Sequence, residues 1–279
     1  MKKYLHIILF LFTSCAGTAL NPAKGKILVI VSSESELPLK DGKKYRTGYF
    51  FNELIIPVMR LKEKGYEVVF ANPIGNTPYM DIRSLTAKYF KNEEEYTAAK
   101  ILHENLETLR APRSLRAIVD DGLSTYDGLF IPGGHAPMTD LMIHPEMGTI
   151  LEHFHKNKKP TALICHGPVV LAAAMDNPEK FKNALIENDS NGIRKYSKKW
   201  TYRGYRMTIF STIEEKASED ALDGVPLFYP EEVLKRAGGK VSVGNKWEPN
   251  VLKDKELITG QNPASDELLV QTFIKALED

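Results

Sequence analysis

The sequence predicts an α/β fold, a mainly parallel sheet flanked by helices, on the strength of two observations. Apolar β-branched runs alternate with helical stretches: Lys26 to Val31, then a helix from Phe50 to Lys64, then Tyr66 to Ala71. The rhythm recurs further on, with Gly128 to Ile131, a helix over Glu146 to Lys156, Thr161 to Ile164, and a helix over Pro168 to Met175. Continuous apolar strands separated by helices imply parallel pairing with both faces covered, and such sheets carry their sites at the carboxyl ends of the strands.

The elements are taken in chain order. Lys2 and Lys3 precede an apolar run from Leu5 to Phe12 that is too short to span a membrane as a mature helix, so residues 1–23 read as a signal peptide and tether. Phe12-Thr13-Ser14-Cys15 resembles a bacterial lipobox, which makes Cys15 a candidate lipid anchor. An ordinary secretory cleavage near Ala16 to Ala19 is the alternative. The folded domain then runs over 24–279. Residues from about 80 to 116 interrupt the alternation with a polar segment in which Tyr96, Ala99, Leu102, Leu106 and Leu109 keep helical spacing. This is a helical insertion, its stripe packing against the main domain. The second half predicts a strand over Tyr205 to Ser211, a helix over Pro230 to Ala237, a strand over Lys240 to Val243 and a closing helix over Ala264 to Leu277.

The 279 residues are 43% hydrophobic and 26% charged, enough to bury one large core. Thirty-seven basic against 36 acidic residues give a net charge of +1, which carries no basic signature for nucleic acid and leaves small-molecule chemistry as the default. Only two cysteines occur, and one lies in the leader, so Cys165 has no partner for a structural disulfide.

Cys165 sits in Leu163-Ile164-Cys165-His166-Gly167-Pro168, a strand, a sharp turn and a helix start. That is the form of a nucleophile elbow. Free N–H groups at the start of the helix favour a thiolate there, and Gly167 and Pro168 suit the turn and the first helical positions. A buried, inert core cysteine is the competing reading. A second turn, Pro132-Gly133-Gly134-His135, also follows a strand, and N–H groups of Gly133 and Gly134 there, with that of His166, are candidate oxyanion donors. Glu53 is an isolated acid in an apolar stretch, where desolvation raises its pKa and suits it to exchange protons with a thiol.

These motifs together resemble the ThiJ/PfpI superfamily, within the flavodoxin-like, class I glutamine-amidotransferase-like fold. The chain is most similar to the branch of glutathione-independent glyoxalases, also called glyoxalase III or D-lactate dehydratase. The stretches that carry the resemblance are Gly48 to Glu53, Glu67 to Asp81, Pro132 to Asp140, Ala162 to Pro168, Thr208 to Glu215 and Leu257 to Ser265. The resemblance implies Cys165 as nucleophile, His166 as its partner, Glu53 as the proton shuttle, and Glu215 as the acid that orients His166, with Glu214 as the neighbouring alternative. It implies a small dicarbonyl substrate, no cofactor, no glutathione and no nucleic-acid partner, and it is compatible with a homodimer. Some members carry a two-histidine, one-carboxylate metal site, but His103, His144, His153 and His155 match no ligand motif, so no metal ligands are assigned. Two other readings stay open: a cysteine amidase or peptidase of the same fold, and a stress chaperone or peroxide sensor.

Overall fold

The computed structural model describes residues 23–279; the expected leader and the Cys15 lipobox lie outside the described residues. A seven-stranded sheet forms the centre. Its strands are β1 (Lys26–Ile30), β2 (Glu67–Asn72), β3 (Arg113–Ser114), β4 (Gly128–Ile131), β5 (Thr161–Ile164), β6 (Val251–Asp254) and β7 (Leu257–Gly260), in the order β6-β7-β5-β4-β1-β2-β3. All neighbours pair in parallel except the edge hairpin of β6 with β7.

Strand alternation explains why the runs are apolar throughout. Ile27 and Val29 point to one face, Leu28 and Ile30 to the other, and all four are buried. On the first face lie α1 (Phe51–Glu63), α2 (Glu93–Glu104) and the closing helix α5 (Asp266–Glu278), which pack Phe51, Leu54, Ala99, Leu269 and Phe273 onto the sheet. The second face is covered by α3 (Pro145–Lys156), whose Met147, Ile150, Leu151 and Phe154 are fully buried, each such side chain contributing about 1.5–3 kcal/mol. The stripe at Ala99, Leu106 and Leu109 is buried against the first face, as its spacing predicts.

Several elements differ from expectation. The insertion is not purely helical: it returns to the sheet as β3 and contributes short 3₁₀ turns at Ile82–Ser84 and Ala87–Tyr89. The strand expected over Tyr205 to Ser211 is confined to Arg206–Met207, paired with Lys240–Val241. Beyond it the Thr208 N–H donates to Thr259 Oγ1 (2.9 Å) and the Phe210 N–H to the Cys165 carbonyl (2.9 Å), so those donors leave the ladder and pin the segment to the site. The segment after Cys165 is a 3₁₀ helix, Gly167–Ala174, in which every residue is buried. Its residues have no polar face to present to water, and its tighter winding forms a poorer hydrogen-bond ladder than an α-helix. The hairpin strand β7, between β6 and β5, is a short strand that the alternation in the sequence does not announce.

Parallel pairing of β4 with β5, Ile131 opposite Leu163, brings two strand ends side by side. The Gly133-Gly134 turn and Cys165 therefore emerge together.

Candidate active site

Cys165 has φ +58°, an unusual conformation for a residue with a side chain. It is held from both sides: its N–H donates to the Gly260 carbonyl of β7 (2.9 Å), and its own carbonyl accepts from Phe210. The backbone thus turns sharply at the strand end and presents the sulfur to the floor of a cleft of about 620 Å³.

His166 follows, nearly wholly buried. Its Nδ1 lies 3.2 Å from Cys165 Sγ, and its Nε2 lies 2.6 Å from Glu215 Oε2. Glu215 is in the first turn of α4 (Thr212–Leu222), and its other oxygen lies 3.0 Å from His135 Nε2. Burial alone raises a carboxyl's pKa, but here the imidazoles of His135 and His166 override it and hold Glu215 well below the usual range, ionised. An ionised carboxylate only accepts, so the hydrogen bonding assigns the Nε2 proton of each ring to it. That leaves His166 Nδ1 free to accept from the thiol. Burial, then the neighbouring His135, lower the pKa of His166 and keep it neutral. Phe210 stacks on its ring at 4.5 Å between centroids.

Glu214, the neighbouring alternative, faces elsewhere. It closes a capping box with Ser211 and accepts from the Trp247 N–H (2.8 Å), Gln261 Nε2 (3.0 Å) and Asn262 Nδ2 (2.8 Å). It therefore anchors the loop that carries Trp247 over the cleft, and Glu215 alone meets His166.

Glu53, in the first turn of α1, is fully buried, and neither carboxyl oxygen has a hydrogen-bond partner of ordinary geometry. The thiol of Cys165 and the N–H of Gly133 both face it, but burial dominates and pushes its pKa up to about 8, with the buried Asp266 adding to the rise. Asp266, itself raised to about 7 chiefly by burial, accepts from Asn52 Nδ2 at 2.7 Å. The thiol is in turn pushed well above its ordinary value, first by burial and then by Glu53. The thiolate expected from the helix start is thus not the resting state. A dry site with an acid beside the sulfur outweighs the N–H groups at the head of a short 3₁₀ turn. Thiol and carboxyl titrate as a pair, with the first proton leaving near pH 8.

The oxyanion donors also divide. The Gly133 N–H is turned to Glu53 and is removed from the expected set. Gly134 and His166 line the cleft, and neither N–H has a backbone partner among the described residues. Both glycines are required by close approach. A Cβ on Gly133 would lie 2.2 Å from Glu53 Oε2, and one on Gly134, which has φ +90°, would lie 2.0 Å from the Gly48 carbonyl.

Two further points were not visible in sequence. His135, expected only as part of a glycine turn, shares the Glu215 carboxylate and lines the cleft. Its position directly after the paired glycines was the available signal. His135, His166 and Glu215 also have the composition of a metal set, with one potential ligand atom from each lying within 4.8 Å of the others. They do not fit a cation as arranged, because each Nε2 proton already bonds the carboxylate and His166 Nδ1 faces the sulfur. His103 instead meets the Tyr49 hydroxyl at 2.7 Å, His144 pairs with Glu146, and His155 pairs with Glu256.

The chain is similar to several known proteins. Residues 49–180 match the model of the DJ-1/PfpI family, a span that holds Glu53, Gly133, Gly134, Cys165 and His166. A protein/nucleic acid deglycase HchA of Staphylococcus aureus (strain MSSA476) is 27% identical over 257 residues, covering 90% of this chain and 79% of the relative. Among solved structures, glyoxalase III of Candida albicans superposes with a TM-score of 0.68 at 22% identity, over 90% of this chain and 97% of that one. The Rapid Encystment Protein 24 kDa of Francisella tularensis does so with a TM-score of 0.68 at 23% identity, over 91% and 99%. The two structural likenesses speak to the fold. With the family match falling on the elbow, the glycine turn and the buried glutamate, residues 49–180 of the chain carry the pattern of the DJ-1/PfpI family.

Proposed function

We propose that the protein is a glutathione-independent glyoxalase, a lyase of the D-lactate dehydratase type that converts methylglyoxal to lactate and glyoxal to glycolate. The observation that carries this reading is the pairing of two proton devices on one sulfur: the relay from Cys165 through His166 to Glu215, and the protonatable carboxyl of Glu53 beside the thiol. Hydrolysis of an amide needs the relay but has no use for a second, buried acid. The deglycase name of the Staphylococcus aureus relatives supports an enzyme that processes carbonyl groups.

In this mechanism the Cys165 sulfur bonds to the aldehyde carbon while its proton passes to His166 Nδ1. The new oxyanion is held by the Gly134 and His166 N–H groups and then protonated to the hemithioacetal. Glu53, as carboxylate, removes the proton from the former aldehyde carbon to give an enediol. Proton return to the adjacent carbon gives a thioester on Cys165, and water releases lactate and restores the thiol. Forming the S–C bond removes the charge that ionisation would place on sulfur, so Glu53 ionises more readily when it is needed as a base. No cofactor enters any step.

The pH dependence tests this assignment. The rate constant kcat/KM is expected to climb through about pH 8 as the thiol–carboxyl pair gives up its first proton, and Glu53→Gln is expected to lose that limb along with most of the rate. Stability moves the opposite way. The folded pKa lies above the unfolded value near 4.5, so the contribution of protonated Glu53 is complete below that value and is lost as pH rises through about 8. Melting curves of the two proteins are therefore expected to diverge in favour of Glu53→Gln between these limits. Curves that stay parallel across the window refute the raised carboxyl.

Export and lipid attachment at Cys15 belong to the same proposal and rest on the sequence of the leader. Cell fractionation checks them: protein found wholly in the cytosol, with its leader uncleaved, contradicts both.

A further inference from the structure

The cleft is far larger than a three-carbon dicarbonyl requires. Its volume of about 620 Å³ falls in the range of pockets that enclose drug-sized ligands. Its walls are aromatic on two sides. Tyr89 meets Phe50 edge-on at 5.1 Å between centroids, and Phe210 meets Trp247 at 5.6 Å. Its charge is one-sided. Arg83 and Lys88 line it and no carboxylate does, since Glu53 and Glu215 lie behind the wall, wholly buried. Arg83 is neutralised in part by Asp81 (3.3 Å) and packs on the Tyr45 ring. Lys88 is exposed, makes no ion pair among the described residues, and stands 4.5 Å from the centre of the Tyr89 ring. A free cation on an aromatic wall, above a reactive thiol, attracts an anion at the far end of whatever the thiol holds.

We propose that the physiological substrates are oxoaldehydes longer than methylglyoxal whose far end carries a carboxylate, and that Lys88 is the residue that selects for it. The inference rests on the glyoxalase reading and refines its substrate class. The carboxylate meets Lys88 at the mouth, the chain lies between the aromatic walls, and the aldehyde reaches Cys165 on the floor.

The test compares two five-carbon probes, dioxopentanoate, which ends in a carboxylate, and oxopentanal, which ends in a methyl group. In the wild type, kcat/KM for dioxopentanoate is expected to exceed that for oxopentanal by about tenfold and to lose this advantage in high salt. Lys88→Gln is expected to bring the two probes near parity by lowering only the anionic one, and Lys88→Arg to restore the preference. Equal use of both probes by the wild type, or an equal loss on both in Lys88→Gln, overturns the proposal; the second outcome places Lys88 on the reacting end. Calorimetric binding of dioxopentanoate to Cys165→Ser, with and without Lys88→Gln, reads the subsite without turnover. Binding that Lys88→Gln weakens upholds the subsite even if the wild type turns over neither probe, a result that strikes the glyoxalase reading instead. Binding indifferent to Lys88 overturns the subsite.

Discussion

Cys165→Ser is expected to lower the rate of lactate formation from methylglyoxal by about four orders of magnitude while leaving the fold intact. The substitution changes one atom at a position whose backbone is fixed independently, by the Gly260 and Phe210 hydrogen bonds and by a positive φ that serine and cysteine tolerate alike. What is lost is the nucleophile. A serine hydroxyl binds its proton far more tightly than a thiol, and a neutral His166 in a dry site is too weak a base to remove it. The dry site already raises the thiol's own pKa, so the native chemistry has little margin. Circular dichroism and melting temperature close to the wild type, beside the lost rate, separate this result from misfolding. A holdase activity that survives the substitution would belong to the surface and not to this site.

Glu215→Gln is expected to lower kcat by about 10²–10⁴-fold with little change in KM. Glu215 accepts from two histidines at once, one on each oxygen. Glutamine offers one acceptor and one donor, so one ring must turn or change tautomer. If that ring is His166, its Nδ1 carries a proton toward the sulfur and cannot take another. If it is His135, the cleft wall rearranges and His166 keeps its role, which sets the lower end of the range. The loss of charge also removes what favours a protonated imidazole during attack, a cost paid in the transition state and therefore read in kcat. Glu214→Gln provides the contrast. It loosens the loop that carries Trp247 and is expected to raise KM more than it lowers kcat.

How far the sequence discloses this site follows from the range of the interactions involved. The elbow was legible because its parts are adjacent: an apolar strand, Cys165, and a glycine and proline that fit only a sharp turn. Glu53 was legible as a charge in an apolar run, because burying a carboxyl without a partner is costly and is tolerated where it is used. Glu214 and Glu215 were not separable by composition. Successive residues on a helix point about 100° apart, so one faces the histidines and the other the Trp247 loop, and only the placement of α4 decides which. The ionisation state of Cys165 was misread because a local rule about helix starts was applied to a residue whose environment is set by distant chain, Glu53 among it. His135 and Lys88 were hidden for the same reason. The strand expected over Tyr205 to Ser211 has the right composition, but its donors are diverted to Thr259 and Cys165. β7, four residues long, follows a charged turn at Asp254-Lys255-Glu256 that masks its start.

The most direct measurement incubates the purified protein with methylglyoxal in the absence of glutathione and follows lactate. Lactate accumulating through many turnovers per molecule, with a rate that depends on both Cys165 and Glu53, is the expected result. Methylglyoxal that merely modifies Cys165 without release of lactate, in a protein that cleaves a model amide through the same sulfur, contradicts it.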